Sequence, residues 1–378
     1  MKKIGMVLGI KVGSAVFCVM IALTATAFAA DPKPASVTGY VQGGYTYNTN
    51  TPASQENDFR VFDHKANSLG LDLGQIIVSK DAAGDGVGYK IKVSAGETAK
   101  FIHSAGMGEP KDDNGDGVIT LDEYDNPFDI TEAFVSYIAP VGKGLRFDFG
   151  KMVTYHGAEV IEAKDNVNYS RSLLFNYAIP FTHTGLKIGY GFTDAVSASV
   201  HVVNGWDNST DNNTGKTVGL SVFVAPVEMF SAYINYMQGP EQANNTSNQR
   251  SLIDLVATIK PIKPLSIILN YDSAKEEMGA GVSDVKWNGF AAIVKYDISD
   301  MYSISVRGEQ FDDKDGVRTG TVQKLTEYTI TPEIRLASGL IVRPEYRHDS
   351  SNEEVFNANA GDKKKSQDTI ALGVMYSW

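Results

Sequence analysis

The chain ends Ile370-Ala371-Leu372-Gly373-Val374-Met375-Tyr376-Ser377-Trp378, and every second residue counted back from the terminus is large and apolar. Ala371, Gly373, Met375 and Ser377 stand between them. Successive side chains of a strand point to opposite faces, so a period of two predicts a strand with one apolar side. The same alternation recurs upstream. Leu340, Val342, Pro344 and Tyr346 share one face, and Ile341, Arg343, Glu345 and Arg347 the other. Tyr302, Ile304 and Val306 alternate with Ser303, Ser305 and Arg307, and Leu265, Ile267, Leu269 and Tyr271 with Ser266, Ile268, Asn270 and Asp272. Sixteen such segments are expected, at 36–48, 67–79, 87–97, 131–139, 144–152, 184–192, 195–204, 216–225, 228–238, 251–261, 264–273, 287–297, 301–311, 324–336, 340–349 and 367–378. Most are about ten residues long, the length a tilted strand needs to cross a bilayer.

The connections decide the class. Tight ones such as Ala139-Pro140-Val141-Gly142, Thr193-Asp194, Ala225-Pro226-Val227, Ser299-Asp300 and Ala337-Ser338-Gly339 alternate with long stretches rich in Asn, Asp, Gly and Ser. A transmembrane barrel has this asymmetry, with short turns at one end and long loops at the other; a soluble sandwich has no reason for it. Aromatic residues near strand ends agree with interfacial girdles: Tyr45, Tyr47, Tyr137, Tyr190, Phe192, Tyr236, Tyr271, Trp287, Tyr296, Tyr302, Tyr346, Tyr376 and Trp378. The expected fold is all-β, one transmembrane antiparallel β-barrel over 36–378 with short periplasmic turns and long external loops.

Residues 1–29 read as a cleaved export signal: Lys2, Lys3 and Lys11, an apolar stretch from Val12 to Leu23, then Ala27-Phe28-Ala29. The only cysteine, Cys18, lies inside it, so the processed chain has no thiol for disulfides, thiolate metal sites or haem attachment. Cleavage removes three lysines, and the formal charge moves from −11 to −11 − 3 = −14. That acidity argues against a nucleic-acid partner. No later run is apolar and long enough for a membrane helix.

The last strand resembles the C-terminal strand of outer-membrane proteins, which ends in an aromatic residue and is read by the barrel-assembly machinery. Four further stretches, Asn126-Pro127-Phe128-Asp129-Ile130-Thr131-Glu132-Ala133, Gly157-Ala158-Glu159-Val160-Ile161-Glu162, Asn168-Tyr169-Ser170-Arg171-Ser172 and Ala178-Ile179-Pro180-Phe181-Thr182-His183-Thr184-Gly185, resemble the OmpL-like family of β-barrel porins. The specific match covers about 126–192. The resemblance implies a channel in the bacterial outer membrane, among lipid and lipopolysaccharide, without defining a substrate. Homotrimers are usual among sixteen-stranded porins, so the resemblance also implies a homotrimer.

Residues 153–183 form the third long loop and carry Val160, Ile161, Leu173, Leu174, Phe175, Ile179 and Phe181. A water-exposed loop rarely shows so much apolar surface without burying it. The loop is therefore expected to fold into the barrel as a constriction, as the third loop does in general porins. Glu159, Glu162 and Asp165, with Arg171, would then face the passage. Opposite them would stand basic rows on the polar strand faces: Lys90, Lys92, Arg146, Lys187, Arg307, Arg335, Arg343 and Arg347. Opposed charges in a narrow channel select by charge and size.

The loop at 98–130 contains Asp112-Asp113-Asn114-Gly115-Asp116-Gly117-Val118-Ile119-Thr120-Leu121-Asp122-Glu123, which resembles an EF-hand or dockerin-type calcium loop at each fixed position. Asp112, Asn114, Asp116, Val118, Thr120 and Glu123 are the expected oxygen ligands of a structural Ca²⁺. Gly106, Gly108 and Pro110 depart from the pattern, since they oppose an entering helix. The leading function is passive diffusion of small polar or charged solutes. Net acidity leans it toward cations, and the basic rows toward anions. Other readings are a plugged structural or surface-interaction barrel, a sleeve around a periplasmic partner, and an enzyme built on His201 with Ser197 and Ser199.

Overall fold

The computed structural model describes residues 33–83, 86–107, 126–336 and 339–378. The expected signal at 1–29 and calcium loop at 112–123 lie outside them. Sixteen antiparallel strands close into one barrel: β1 Ser36–Asn48, β2 Leu69–Lys80, β3 Val87–Ala95, β4 Phe128–Ala139, β5 Leu145–Val153, β6 Thr182–Thr193, β7 Val196–Val203, β8 Thr217–Val227, β9 Phe230–Gly239, β10 Arg250–Ile262, β11 Leu265–Glu276, β12 Val285–Asp297, β13 Tyr302–Asp313, β14 Gln323–Arg335, β15 Leu340–Ser351 and β16 Ser366–Ser377. Each strand pairs with its sequence neighbours. The barrel closes where β1 meets β16, with Gly44 opposite Gly373 and Tyr40 opposite Ser377.

Both faces follow from the alternation. Ile370, Leu372, Val374, Tyr376 and Trp378 are 41–55% exposed, while Thr369, Ala371 and Met375 of the alternate row are buried. The large apolar row thus points away from the barrel axis. Tyr47, Tyr236, Tyr271, Tyr296, Tyr302 and Tyr346 share that exposed outer surface. Trp287 does not. Expected in the girdle, it points inward and is fully buried, because its indole Nε1 donates to Ala178 O at 3.1 Å.

One end carries tight turns, such as 194–195, 228–229 and 263–264. The other carries long connections: 49–68, 96–127, 154–181, 204–216, 240–249, 277–284, 314–322 and 352–365. By the rule for outer-membrane barrels the tight end is periplasmic and the long end external. The second long loop ends earlier than expected, because β4 begins at Phe128 and not 131. A bulge explains the difference. The β3–β4 register shifts between Lys92 and Val93, so Thr131 and Glu132 are both buried and the period of two breaks there.

Candidate functional site

An irregular segment inside a barrel must satisfy its own peptide groups, because neither a strand partner nor bulk water is beside it. The loop 154–181 solves this with the wall's charges. Tyr169 N and Ser170 N donate to the Glu345 carboxylate at 2.8 and 3.1 Å. Leu173 N and Leu174 N donate to Glu309 at 2.6 and 3.2 Å. Gly157 N donates to Asp254 Oδ2 at 2.9 Å, and Ala158 N to Asn270 Oδ1 at 3.2 Å. In the other sense, Arg343 donates to the carbonyls of Ala163, Asn166 and Asn168, and Arg307 to Ser170 O at 2.9 Å. Charge-assisted bonds of this kind are short and strong.

The apolar part of the loop finds shape as well as cover. Ile161, Leu173, Leu174, Phe175 and Ile179 are buried, and Phe181 packs against them. Wall glycines at inward positions leave room for the large side chains. A Cβ on Gly373 would sit 2.2 Å from Tyr169 Cδ2, and one on Gly44 2.0 Å from its Oη. A Cβ on Gly219 would lie 1.8 Å from Tyr155 Oη, and one on Gly289 2.6 Å from Leu174 Cδ1. The Tyr169 hydroxyl donates to Asp72 Oδ2 at 2.7 Å. A second layer lies on the first: Phe62 of the loop 49–68 packs on Phe175 and Phe181 at 5.5 and 5.4 Å between ring centroids. Its Arg60 donates to Arg171 O at 3.0 Å, and Arg347 holds its Asp63 at 2.5 Å.

The expected constriction residues separate into two groups. Glu159 is buried against Arg307 at 2.8 Å, and Glu162 is buried between Lys92 Nζ at 2.7 Å and Gln75 Nε2 at 2.8 Å. Burial pushes the Glu162 carboxyl up, but the Lys92 ammonium outweighs it and holds the net value below the usual carboxylate range. Arg171 is buried too, donating to the carbonyls of Tyr169 and Ile161 and lying 4.7 Å from the Phe62 ring. None of these three borders solvent, as a residue facing an open passage would. Their charges serve to seat the loop. Asp165 alone of the four is exposed, paired with Lys164 at 2.7 Å on the loop's 3₁₀ turn Ala163–Asp165.

The basic rows divide in the same way. Lys92, Arg307, Arg343 and Arg347 are buried under the two loops. Arg146 and Arg335, at the periplasmic ends of β5 and β14, and Lys90 and Lys187, near the middle of β3 and β6, keep about a third of their side chains exposed. Their carboxylate partners Glu132, Asp148 and Glu333 are buried. Ions are therefore shared unequally: Glu132, Asp148 and Glu333 lie against the wall while their cations reach the vestibule, where Asp297, 3.6 Å from Arg335 and as exposed as it is, is the acid beside them.

His201 is inward and buried, with Ser199 Oγ at 2.9 Å and the Tyr155 ring stacked on it at 3.8 Å. His156 and His183 pack around the same tyrosine. The ring is covered, so it has no room to act on a substrate at an outer face. The sequence reading missed Glu309, Glu345, Asp254 and the wall glycines. Glu309 and Glu345 lie in phase with Arg307 and with Arg343 and Arg347, and that shared phase was the available signal.

The family described as "Putative beta-barrel porin-2, OmpL-like" matches residues 34–378. Among solved structures, the trimer form of OmpT of Vibrio cholerae is similar at 13% identity, covering 92% of this chain and 100% of that one with a TM-score of 0.58. The anion-selective porin from Comamonas acidovorans is similar at 12% identity, covering 91% and 99% with a TM-score of 0.59. The outer-membrane channel DcaP of Acinetobacter baumannii is similar at 12% identity, covering 91% and 97% with a TM-score of 0.58. At these identities the likeness is one of fold. No curated protein matches the sequence.

Proposed function

Because the chain belongs to the OmpL-like family of β-barrel porins, and is thus a channel protein of the bacterial outer membrane and not an enzyme, we propose that it passes small solutes with a preference for anions. The carrying observation is the excess of exposed cations in the vestibule: Lys90, Arg146, Lys187 and Arg335 stand over the buried Glu132, Asp148 and Glu333, against the one exposed carboxylate of Asp297 beside Arg335. Selectivity follows the charge that borders the narrow path and not the total charge of the chain. On this reading the net acidity of the sequence misleads. The loop 154–181 is the constricting element, and Lys164 and Asp165 are its exposed charges. Reversal potential under a salt gradient in planar bilayers tests the proposal, and a cation-selective value refutes it.

A second reading has an observation of its own. Across β10–β16 the inward residues Asp254, Asp272, Arg307, Glu327, Thr331, Arg347 and Gln367 are all buried beneath the loops. That much filling supports a plugged barrel, structural or carrying a partner, with little conductance. Single-channel recordings distinguish the two readings.

Calcium at Asp112, Asn114, Asp116, Val118, Thr120 and Glu123 belongs to the same proposal, supported by the sequence match alone. Calorimetric titration with Ca²⁺, repeated on Glu123→Ala, tests it. A homotrimer is proposed on the precedent of the OmpT trimer form, and cross-linking in native membranes tests that.

A further inference from the structure

On the outer face of the barrel, at the external ends of β9–β12, the apolar row gives way to a basic concavity of about 280 Å³. Its walls carry Lys275 of β11, Lys286 of β12 and Lys314 of the loop 314–322. Its floor is polar and small: Ser251, Ser273 and Asn288. Lys275 and Lys286 stand directly opposite each other across the β11–β12 pair. Like charges in that relation repel and destabilise a sheet. Lys275 is compensated by Asp284 at 3.0 Å and Glu277 at 3.8 Å, and the Asp315 carboxylate is taken up by Lys286 N at 2.7 Å. Among the described residues the Lys286 and Lys314 ammoniums have no ion-pair partner, and both side chains are exposed. Toward the membrane middle the same face turns apolar, with Ile253, Tyr271 and Phe290 each 41–47% exposed.

A cationic pocket directly above a hydrocarbon-facing belt fits an amphiphile whose anionic head lies level with the lysines and whose chains run down the belt. We propose that this concavity binds the phosphorylated sugar headgroup of a glycolipid of the external leaflet. The phosphate bridges Lys286 and Lys314, the two ammoniums without a carboxylate partner, while Ser251, Ser273 and Asn288 hydrogen-bond sugar hydroxyls. The site faces outward, so the inference rests on the membrane location and not on conduction or ion selectivity.

The test uses the detergent-solubilised barrel and bisphosphorylated lipid A as the probe, with dephosphorylated lipid A, phosphatidylglycerol and inorganic phosphate as separate arms. The wild type is expected to bind bisphosphorylated lipid A at least ten-fold tighter than any other arm. Lys286→Gln with Lys314→Gln is expected to lose most of that preference, and Lys263→Gln, on a periplasmic turn, none. Heat-dependent gel mobility reports folding. If the double variant does not fold, Lys314→Gln alone, in a loop, is measured and is expected to weaken binding about three-fold. Unchanged affinity in the variants overturns the proposal. So does equal binding of dephosphorylated lipid, of phosphatidylglycerol or of free phosphate.

Discussion

Two parts of the inner wall use the same chemistry to opposite ends. Under the loops, Arg307 and Arg343 are fully buried, each bonded to a wall carboxylate and to loop carbonyls. In the periplasmic vestibule, Arg146 and Arg335 also hold wall carboxylates, at 2.8 and 2.7 Å, yet keep 39% and 38% of their side chains in water. The residue type and the strand phase are the same. What differs is whether a loop covers them. A buried arginine here replaces water for a segment that has no strand partner, and an exposed one sets the field a solute meets.

Removing the cover is the strongest way to break this contrast. Replacing 158–178 by a short Gly/Ser linker should expose the β10–β16 wall and raise single-channel conductance several-fold. Unchanged conductance would mean that the loop does not limit the path. Next comes a matched pair of substitutions. Arg307→Met leaves Glu159 buried without its cation and Glu327 with only Arg60 at 3.9 Å, a loss of about 3–5 kcal/mol for a broken buried pair. Faster hydrogen exchange at the Ser170 to Leu174 amides should report it. Arg146→Met removes a half-exposed pair worth at most about 1 kcal/mol, so stability should hardly change while the reversal potential moves toward cations.

The fit of loop to wall is tested by glycines. Gly373→Ala puts a methyl against the Tyr169 ring, which is fully enclosed, and should cost about 1–3 kcal/mol by overpacking. Gly191→Ala meets nothing within 4 Å and should stay within about 0.5 kcal/mol. Denaturant titration of both variants in detergent reads the difference.

The smallest effects concern pH. Burial, with Lys65 nearby, holds the His64 imidazole down near 4 against an ordinary 6.5. Between those values the undocked loop takes a proton that the docked loop refuses. The packing of 49–68 should therefore weaken as pH falls from 6.5 toward 4, and be unaffected above 6.5. Burial pushes the Glu241 carboxyl up to about 7 from 4.5, although Thr217 Oγ1 and Trp206 N donate to it. Here the folded form keeps its proton longer. Its contribution is complete below 4.5 and is lost as pH rises through 7. Amide exchange at Ala66 and at Trp206, followed against pH, should show opposite trends.

Much of this was legible in the residues. Ile370 to Trp378 fixed which face turns outward, and the alternation of short and long connections gave sixteen strands and one closed sheet. The apolar content of 153–183 announced a loop that needs burial. The fate of its charges was not legible. Glu159 reads as a lining residue because nothing local says that Arg307, far along the chain, will meet it. Strand phase reports the side of the wall but not the depth of water over it. Trp287 fell into the girdle for the same reason: aromatic character near a strand end does not tell inward from outward where Gly289, two residues on, makes a hollow for Leu174.

The seat of Tyr169 has a consequence for assembly. Gly44 and Gly373 face each other across the joint between the first and last strands, and the phenol ring lies over both. While that joint is open, only half of the ring's cradle exists. The tyrosine therefore works as a clasp that engages only on a finished cylinder, and its docking is a built-in sign that the two ends of the sheet have met.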